Sequence, residues 1–175
     1  MTTWQIDPAH TSVEFGVKHM MISTVRGSFS DVHGAVTPAD QPTVKVTIPV
    51  ATIDTGVEKR DDHLRSPDFF DAANHPEMTF TGTLVEGSVE KGGTLLGELT
   101  IRGTTKPVTL EVESNGEIKD PWGNTKLGFT ATGTINRSDF GLTWNQALET
   151  GGILVGEKVK MTIDVQLVKE AAVPA

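Results

Sequence analysis

Residues Ile53 to Asp71 read IDTGVEKRDDHLRSPDFFD, and here the sequence changes from a strand-like to a helix-like pattern. Thr55-Gly56-Val57-Glu58 fits the capping box S/T-x-x-E/Q. In that motif Thr55 accepts from the Glu58 N–H, and the Glu58 side chain reaches back to the Thr55 N–H. Asp61 and Arg65 stand four apart in the favourable order. Pro67 ends the turn, and Ser66 can cap a second short turn through Phe69 and Phe70. The spacing predicts one short helical segment near residues 56–70. Its apolar side is thin: Val57, Leu64, Phe69 and Phe70. A helix of roughly ten residues does not persist alone in water, so it must rest on the strands that flank it.

Those strands are written in period two. Upstream, Trp4 and Ile6, then Val13, Phe15 and Val17, then Val25, Gly27 and Phe29, then Val44, Val46 and Ile48 alternate with polar residues. Pro49 at the end of the last run marks an edge, a bulge or a barrel corner. His19-Met20-Met21-Ile22 is an apolar knot that interrupts the alternation. Downstream, Met78, Phe80, Gly82 and Leu84 face Thr79, Thr81 and Thr83. Leu99 and Ile101, Val108 to Val112, Phe129 to Ile135, and Val159 to Leu167 repeat the pattern. About eight or nine strands at short spacing, joinable as hairpins, predict an antiparallel sandwich or barrel. The expected fold is all-β: an eight-stranded (or slightly larger) antiparallel barrel with one helical segment. It occupies residues 1–170 as one domain, with a frayed tail at 171–175.

Composition narrows the function. The 175 residues carry a net charge of −8, which argues against nucleic acid and against electrostatic attraction to anionic lipid. The absence of cysteine excludes disulfides, thiolate zinc sites and iron–sulfur clusters. No basic-then-apolar leader is visible in MTTWQIDPAH, so the expected location is cytoplasmic, or periplasmic if a leader was removed. No apolar run approaches the roughly 18 residues of a membrane span. The five histidines show no metal-helix spacing, Ser12, Ser23, Ser28 and Ser138 lack a nucleophile elbow, and Asp61-Asp62 read as a solvated face. No metal, cofactor or catalytic residue is expected.

Closing eight such strands leaves room for side chains or one small ligand. The inward faces carry Phe15, Phe29, Phe80 and Phe129, but also Gly27, Gly82, Gly97, Ala131 and Gly133. Either large neighbours fill the space above those small residues, or a guest does. Residues 136–156 show no period yet hold Phe140, Leu142, Trp144, Leu148, Ile153 and Leu154. Such a loop must cover a barrel mouth, a greasy ligand or a second subunit. The candidate lining is therefore Phe15, Val17, Met20, Met21, Phe29, Ile48, Leu64, Phe69, Phe80, Gly82, Leu84, Leu99, Phe129, Ala131, Gly133, Phe140, Leu142, Trp144, Met161 and Ile163. Candidates to meet a ligand head group are His19, Arg26, Arg60, His63 and Arg137, with surface ion pairs to Asp61, Asp62 or Asp139 as the competing role for the arginines.

Several motifs carry a resemblance. Asp7-Pro8-Ala9-His10-Thr11-Ser12-Val13-Glu14-Phe15, Val25-Arg26-Gly27-Ser28-Phe29, Arg60-Asp61 with His63-Leu64, Ser66-Pro67-Asp68-Phe69-Phe70, Gly103-Thr104-Thr105-Lys106-Pro107 and Asn136-Arg137-Ser138-Asp139-Phe140-Gly141 resemble the YceI family, in order and over nearly the whole chain. The resemblance implies a lipocalin-like barrel that binds a polyisoprenoid, isoprenoid quinone or fatty amide without catalysis, and forms homodimers. Many members carry a secretory leader, from which this chain departs. Two other readings stay open: a solid dimeric interaction or stress module without a stored lipid, and a small barrel enzyme using His19, His63 and Asp139.

Overall fold

The computed structural model describes residues 3–146, 148 and 154–170; the tail at 171–175 and Ile153 lie outside them. Among the described residues, ten antiparallel strands form one sheet: β1 (Trp4–Ile6), β2 (Ser12–His19), β3 (Ser23–Phe29), β4 (His33–Thr37), β5 (Thr43–Pro49), β6 (Glu77–Ser88), β7 (Gly92–Ile101), β8 (Thr104–Lys119), β9 (Thr125–Asn136) and β10 (Val155–Lys169). The order is β1-β4-β5-β6-β7-β8-β9-β10, and β1 pairs back onto β10, closing an eight-stranded barrel. β2 and β3 are two further strands carried on the edge of β10.

The closure has a specific form. β1 and β2 lie along the same edge of β10: Ile6 pairs with Leu167 and Ser12 with Asp164. Between them the chain steps out through the short 3-10 turn Pro8–His10, then returns to the ladder. Asp7 caps that turn through its carboxylate, accepting from the Ala9 N–H at 3.0 Å, while its own N–H donates to Gln166 O at 2.8 Å. Thr11 Oγ1 accepts from the Gln166 N–H at 3.2 Å, so the excursion leaves β10 satisfied.

β5 leaves the sheet at Pro49, the barrel corner its proline suggests. On its edge away from β2, β3 keeps only an isolated bridge, Ser28 to Asp54. The wedge so opened is occupied by residues 50–76, including the helix α1 (Glu58–Arg65). The capping box does not form: the residue before the helix is Val57, and no side chain caps it. Thr55 turns inward instead, donating its N–H (2.9 Å) and its hydroxyl to Asp61 Oδ1. Asp61 is thereby buried at 7% exposure rather than solvated, and Arg65 pairs with Asp62 at 3.0 Å instead. Arg65 also donates to Ala51 O and Ile53 O, tying the helix to the corner it rests on. Ser66 does serve the following turn, accepting from the Asp68 N–H at 3.3 Å.

At that same end β7 and β8 meet in a two-residue turn, Arg102-Gly103, with φ of 50° and 75°. Positive φ at both positions is the hairpin turn whose twist matches the strands. The longest strand is β8, at 16 residues, rather than the last one. Burial follows the alternation: Phe80, Leu84, Leu99, Val108, Leu110, Leu127, Phe129, Ala131 and Leu167 face inward.

The Asp7 carboxylate offers a test of the closure. Burial alone would raise its pKa, but the His10 and Ala9 hydrogen bonds and the charges of His10 and Lys126 outweigh it and hold the group below its ordinary value. Such a depressed carboxylate contributes stability above its unfolded pKa and loses it as pH falls through the lower folded value. Asp7→Ala is therefore expected to cost about 1 kcal/mol at neutral pH. Urea unfolding measured from about pH 5 to pH 2 should show a shallower acid loss in the variant than in the parent. Equal acid slopes would mean that this carboxylate does not hold the closure.

Candidate functional site

The barrel is not filled by its own side chains. Toward the end where β4–β5 and β6–β7 turn lies a cavity of about 170 Å³, lined by Val36, Val44, Val46, Phe80, Leu95, Leu110, Val112, Ala131, Ile163 and their neighbours. Toward the other end lies a larger one of about 480 Å³, lined by strands β2 and β3, helix α1, the 69–70 turn and the segment after β9. Val13, Ile48, Leu99 and Met161 line both, so the two chambers lie on either side of a shared ring of side chains. The larger volume falls in the range of roughly 300–1,000 Å³ typical of small-molecule sites.

Aromatic rings frame the larger chamber. Phe15 and Phe29 lie 5.5 Å apart, and Phe29 meets Phe70 edge-on at 5.7 Å. His63 stands edge-on to Trp144 at 4.8 Å and to Phe69 at 5.2 Å, with its Nε2 2.9 Å from Asp68 Oδ2. The polar side chains of this chamber are Lys18, His19, Thr55, Lys59, Arg60, His63 and Arg137, and among the described residues no carboxylate lines it. In a chain of net charge −8 that is a strongly uneven distribution.

Arg60 and Arg137 play different parts. Arg137 is 3% exposed, and its guanidinium donates to the carbonyls of Leu142, Trp144, Val155 and Gly156, with Glu157 Oε1 at 3.4 Å. Burial lowers its pKa, and the Glu157 carboxylate offsets part of that fall. Its donors are spent on stapling the loop, so it is not a free head-group ligand. Asn145 adds a second staple, exchanging two hydrogen bonds with Val155 at 2.8 and 3.0 Å. Arg60 is held by Thr55, through Nε to Oγ1 at 2.7 Å and Nη2 to O at 2.6 Å. Among the described residues it makes no ion pair; the expected pairing with Asp61, Asp62 or Asp139 is not formed.

Most sequence-derived positions line a chamber: Phe15, Val17, Phe29, Leu64, Phe69, Leu142, Trp144, His19, Arg60, His63 and Arg137 the larger, Phe80, Leu84, Phe129, Ala131 and Ile163 the smaller, Ile48, Leu99 and Met161 both. Six do not. Met20 and Met21 are 44% and 63% exposed, because the knot is the tip of the β2–β3 hairpin and points away from the barrel. Arg26 is exposed on the outer face of β3. Phe140 is 2% exposed and packs in the solid core under the 3-10 turn Arg137–Phe140. Gly82 and Gly133 are inward but roofed: a Cβ on Gly82 would meet the Phe80 ring at 2.8 Å, and one on Gly133 would meet Leu110 Cδ2 at 2.6 Å. Phe15 covers Gly27 in the same way, and Phe80 also covers Gly97. The glycines are thus occupied by neighbouring side chains, and the open space lies elsewhere along the axis. Gly133→Phe would displace Leu110 rather than plug a tunnel.

A family model described as a YceI-like domain matches residues 4–167. The chain belongs to the YceI-like family. It is 43% identical over 166 residues to a UPF0312 protein of Staphylococcus aureus (strain N315), covering 91% of this chain and 94% of that one. Among solved structures, the YceI protein of Campylobacter jejuni is 33% identical with a TM-score of 0.73, over 88% of this chain and 90% of that one. A polyisoprenoid binding domain from Saccharophagus degradans, implicated in plant cell wall breakdown, shares the fold at a TM-score of 0.73 and 12% identity, over 95% and 98% of the two chains.

In this YceI-like protein, sequence reasoning passed over Lys18, Lys59, Thr55 and Asn145 as parts of the site. Lys18 and Lys59 look like ordinary surface positions, and only the fold brings β2 beside α1. For Arg137, the expected consequence of Arg137→Ala is a loss of about 3–5 kcal/mol in urea unfolding, because several buried carbonyls lose their donor. Arg137→Lys should recover only part, since an ammonium cannot reproduce the planar fork. Wild-type stability in Arg137→Ala would refute the staple.

Proposed function

We propose that the chain is a carrier that holds a long apolar amphiphile of the polyisoprenoid class along the barrel axis, without catalysis and with no cofactor other than the bound lipid. The observation that carries this reading is the pair of adjoining chambers, lined mostly by apolar side chains and with charged side chains only on the larger one. The larger chamber, about 480 Å³, opens to solvent yet presents mainly apolar side chains to whatever fills it. Water is a poor filler, since each buried molecule needs several polar partners and the walls provide few. An isoprenoid chain needs none, and each buried methylene contributes about 0.8 kcal/mol. The fold shared with the polyisoprenoid binding domain of Saccharophagus degradans supports the same ligand class.

The proposed head-group end is the basic mouth. Arg60 is held in place by Thr55 and makes no ion pair among the described residues, and His63 stands beside Trp144. A head that accepts hydrogen bonds or bears negative charge suits this setting. The homodimer implied by the family resemblance is the assembly proposed with it.

Native mass spectrometry of freshly purified protein tests the reading, with a co-purified lipid mass as the expected result. Leu99→Trp, in the wall that both chambers share, should release most of that lipid while the melting curve remains cooperative. If tryptophan overpacks the wall, Ala131→Leu places a smaller obstruction in the smaller chamber. A lipid-free parent, or full lipid retention in both variants, would count against the carrier. A clean lipid-free dimer would favour an interaction module.

A further inference from the structure

The β2–β3 hairpin tip leaves its side chains out of the core. Met20, Met21 and Ile22 are 44%, 63% and 84% exposed, three consecutive apolar residues in water. Met20 and Met21 also take φ of 53° and 65°. Glycine or asparagine fits that left-handed conformation with less strain. The tip therefore carries both strain and exposed apolar surface, where a polar turn would close the same hairpin.

Its surroundings indicate what covers it. The next residues down β2 are His19 and Lys18, both on the wall of the larger chamber. The Met20 N–H donates to Leu154 O at 2.8 Å, which fixes the tip against the loop that frames the mouth. Across the ladder Arg26 faces outward opposite Gly16, with Lys160 on Gly16's other side. On the far rim, Val57 is 48% exposed and Lys59 is exposed, with Arg60 one residue on. Glu58 shares that turn but does not line the chamber. An apolar tip set among cations, at the opening of an apolar chamber, has the composition of a segment that enters the interface of a bilayer. Acidic residues also stand near this end, Glu157 beyond Val155 and Asp54, Asp62 and Asp68 around α1, but none lines the chamber; Glu98, Glu111, Glu113 and Glu117 lie on β7 and β8.

We infer that the β2–β3 tip docks the cavity mouth onto a bilayer containing anionic lipid: Met20, Met21 and Ile22 enter the headgroup layer, while Lys18 and Lys59 meet lipid phosphates. The inference rests on the carrier reading, because a water-insoluble chain has to be taken from, or returned to, a bilayer. Methionine suits this contact, since its unbranched thioether adapts to irregular apolar neighbours. Juxtaposed lysines add attraction that salt weakens within a Debye length.

The test uses the full chain with phosphatidylcholine vesicles, with and without phosphatidylglycerol, read by co-sedimentation. The parent should bind the phosphatidylglycerol vesicles more strongly, and added salt should reduce the difference. Met21→Ser/Ile22→Ser should weaken that binding by about tenfold or more, and Lys18→Glu/Lys59→Glu should abolish the preference for phosphatidylglycerol. Thermal melts and native mass spectra of all variants report fold and cargo separately. Bound lipid in a protein that binds neither vesicle would overturn the docking and leave the carrier intact. Vesicle binding of the expected pattern by a lipid-free protein would support the docking and refute the carrier. Tip variants that bind vesicles like the parent but shift the dimer equilibrium would assign the tip to a second copy of the chain and overturn the proposal.

Discussion

Strand β10 is the member on which the barrel depends. One edge pairs with β9 from Lys158 to Val168, and the other pairs with β2 and then β1. Because β1 returns to β10, the ring has no open edge there, and closure of eight strands sets the interior width. That width is a constraint the side chains must answer. Phe80 and Phe129 answer it locally. Val44, Val46, Ala131 and Ile163 do not reach the axis, and the space between them stays open. The cavity follows from strand number and residue size together, with no special device required.

The second constraint is the departure of β5 at Pro49. A barrel whose strands all ran full length would close over its larger chamber. Here the edge of β3 away from β2 is held only at Ser28, and the corner residues, α1 and the 69–70 turn fill the wedge imperfectly. Two arginines make that filling rigid. Arg65 ties α1 to Ala51 and Ile53, and Arg102 donates to Phe69 O at 2.9 Å. The mouth is thus an interruption of the ladder, braced by side-chain-to-carbonyl hydrogen bonds where strand pairing is missing.

This division explains what could be read in the sequence. Period-two alternation is a backbone property of strands, so the barrel and most inward residues were legible, from Phe15 to Ile163. Inward direction alone does not say whether space remains above a residue. Gly82, Gly97 and Gly133 face the axis, yet Phe80 and Leu110 cover them, and that cover depends on cross-strand register. The knot at Met20 and Met21 was legible as apolar but not as exposed, because composition suggests burial and only the hairpin register turns it outward. The capping box failed for a related reason. Thr55 had two possible partners, and burial of Asp61 made the carboxylate the stronger acceptor. Arg137 in a motif marks importance without distinguishing a ligand contact from a staple; its carbonyl partners come from a loop with no period to read.

The Thr55 exchange also decides the electrostatics of the mouth. Had Asp61 paired directly with Arg60, the pair would have used up guanidinium donors at the rim. Instead Thr55 stands between them, donating its hydroxyl to Asp61 and accepting from Arg60 Nε. The carboxylate is satisfied by a hydroxyl and a backbone N–H, and the guanidinium is oriented through a neutral relay. The relay fixes the Arg60 geometry and leaves its Nη1 without a hydrogen-bond partner among the described residues. With Lys18, His19 and Lys59 on the same chamber wall and no carboxylate among its described lining residues, the rim remains cationic in an acidic protein. The local hydrogen-bond choice that defeats the sequence motif is therefore the one that gives the apolar chamber a polar, directional end.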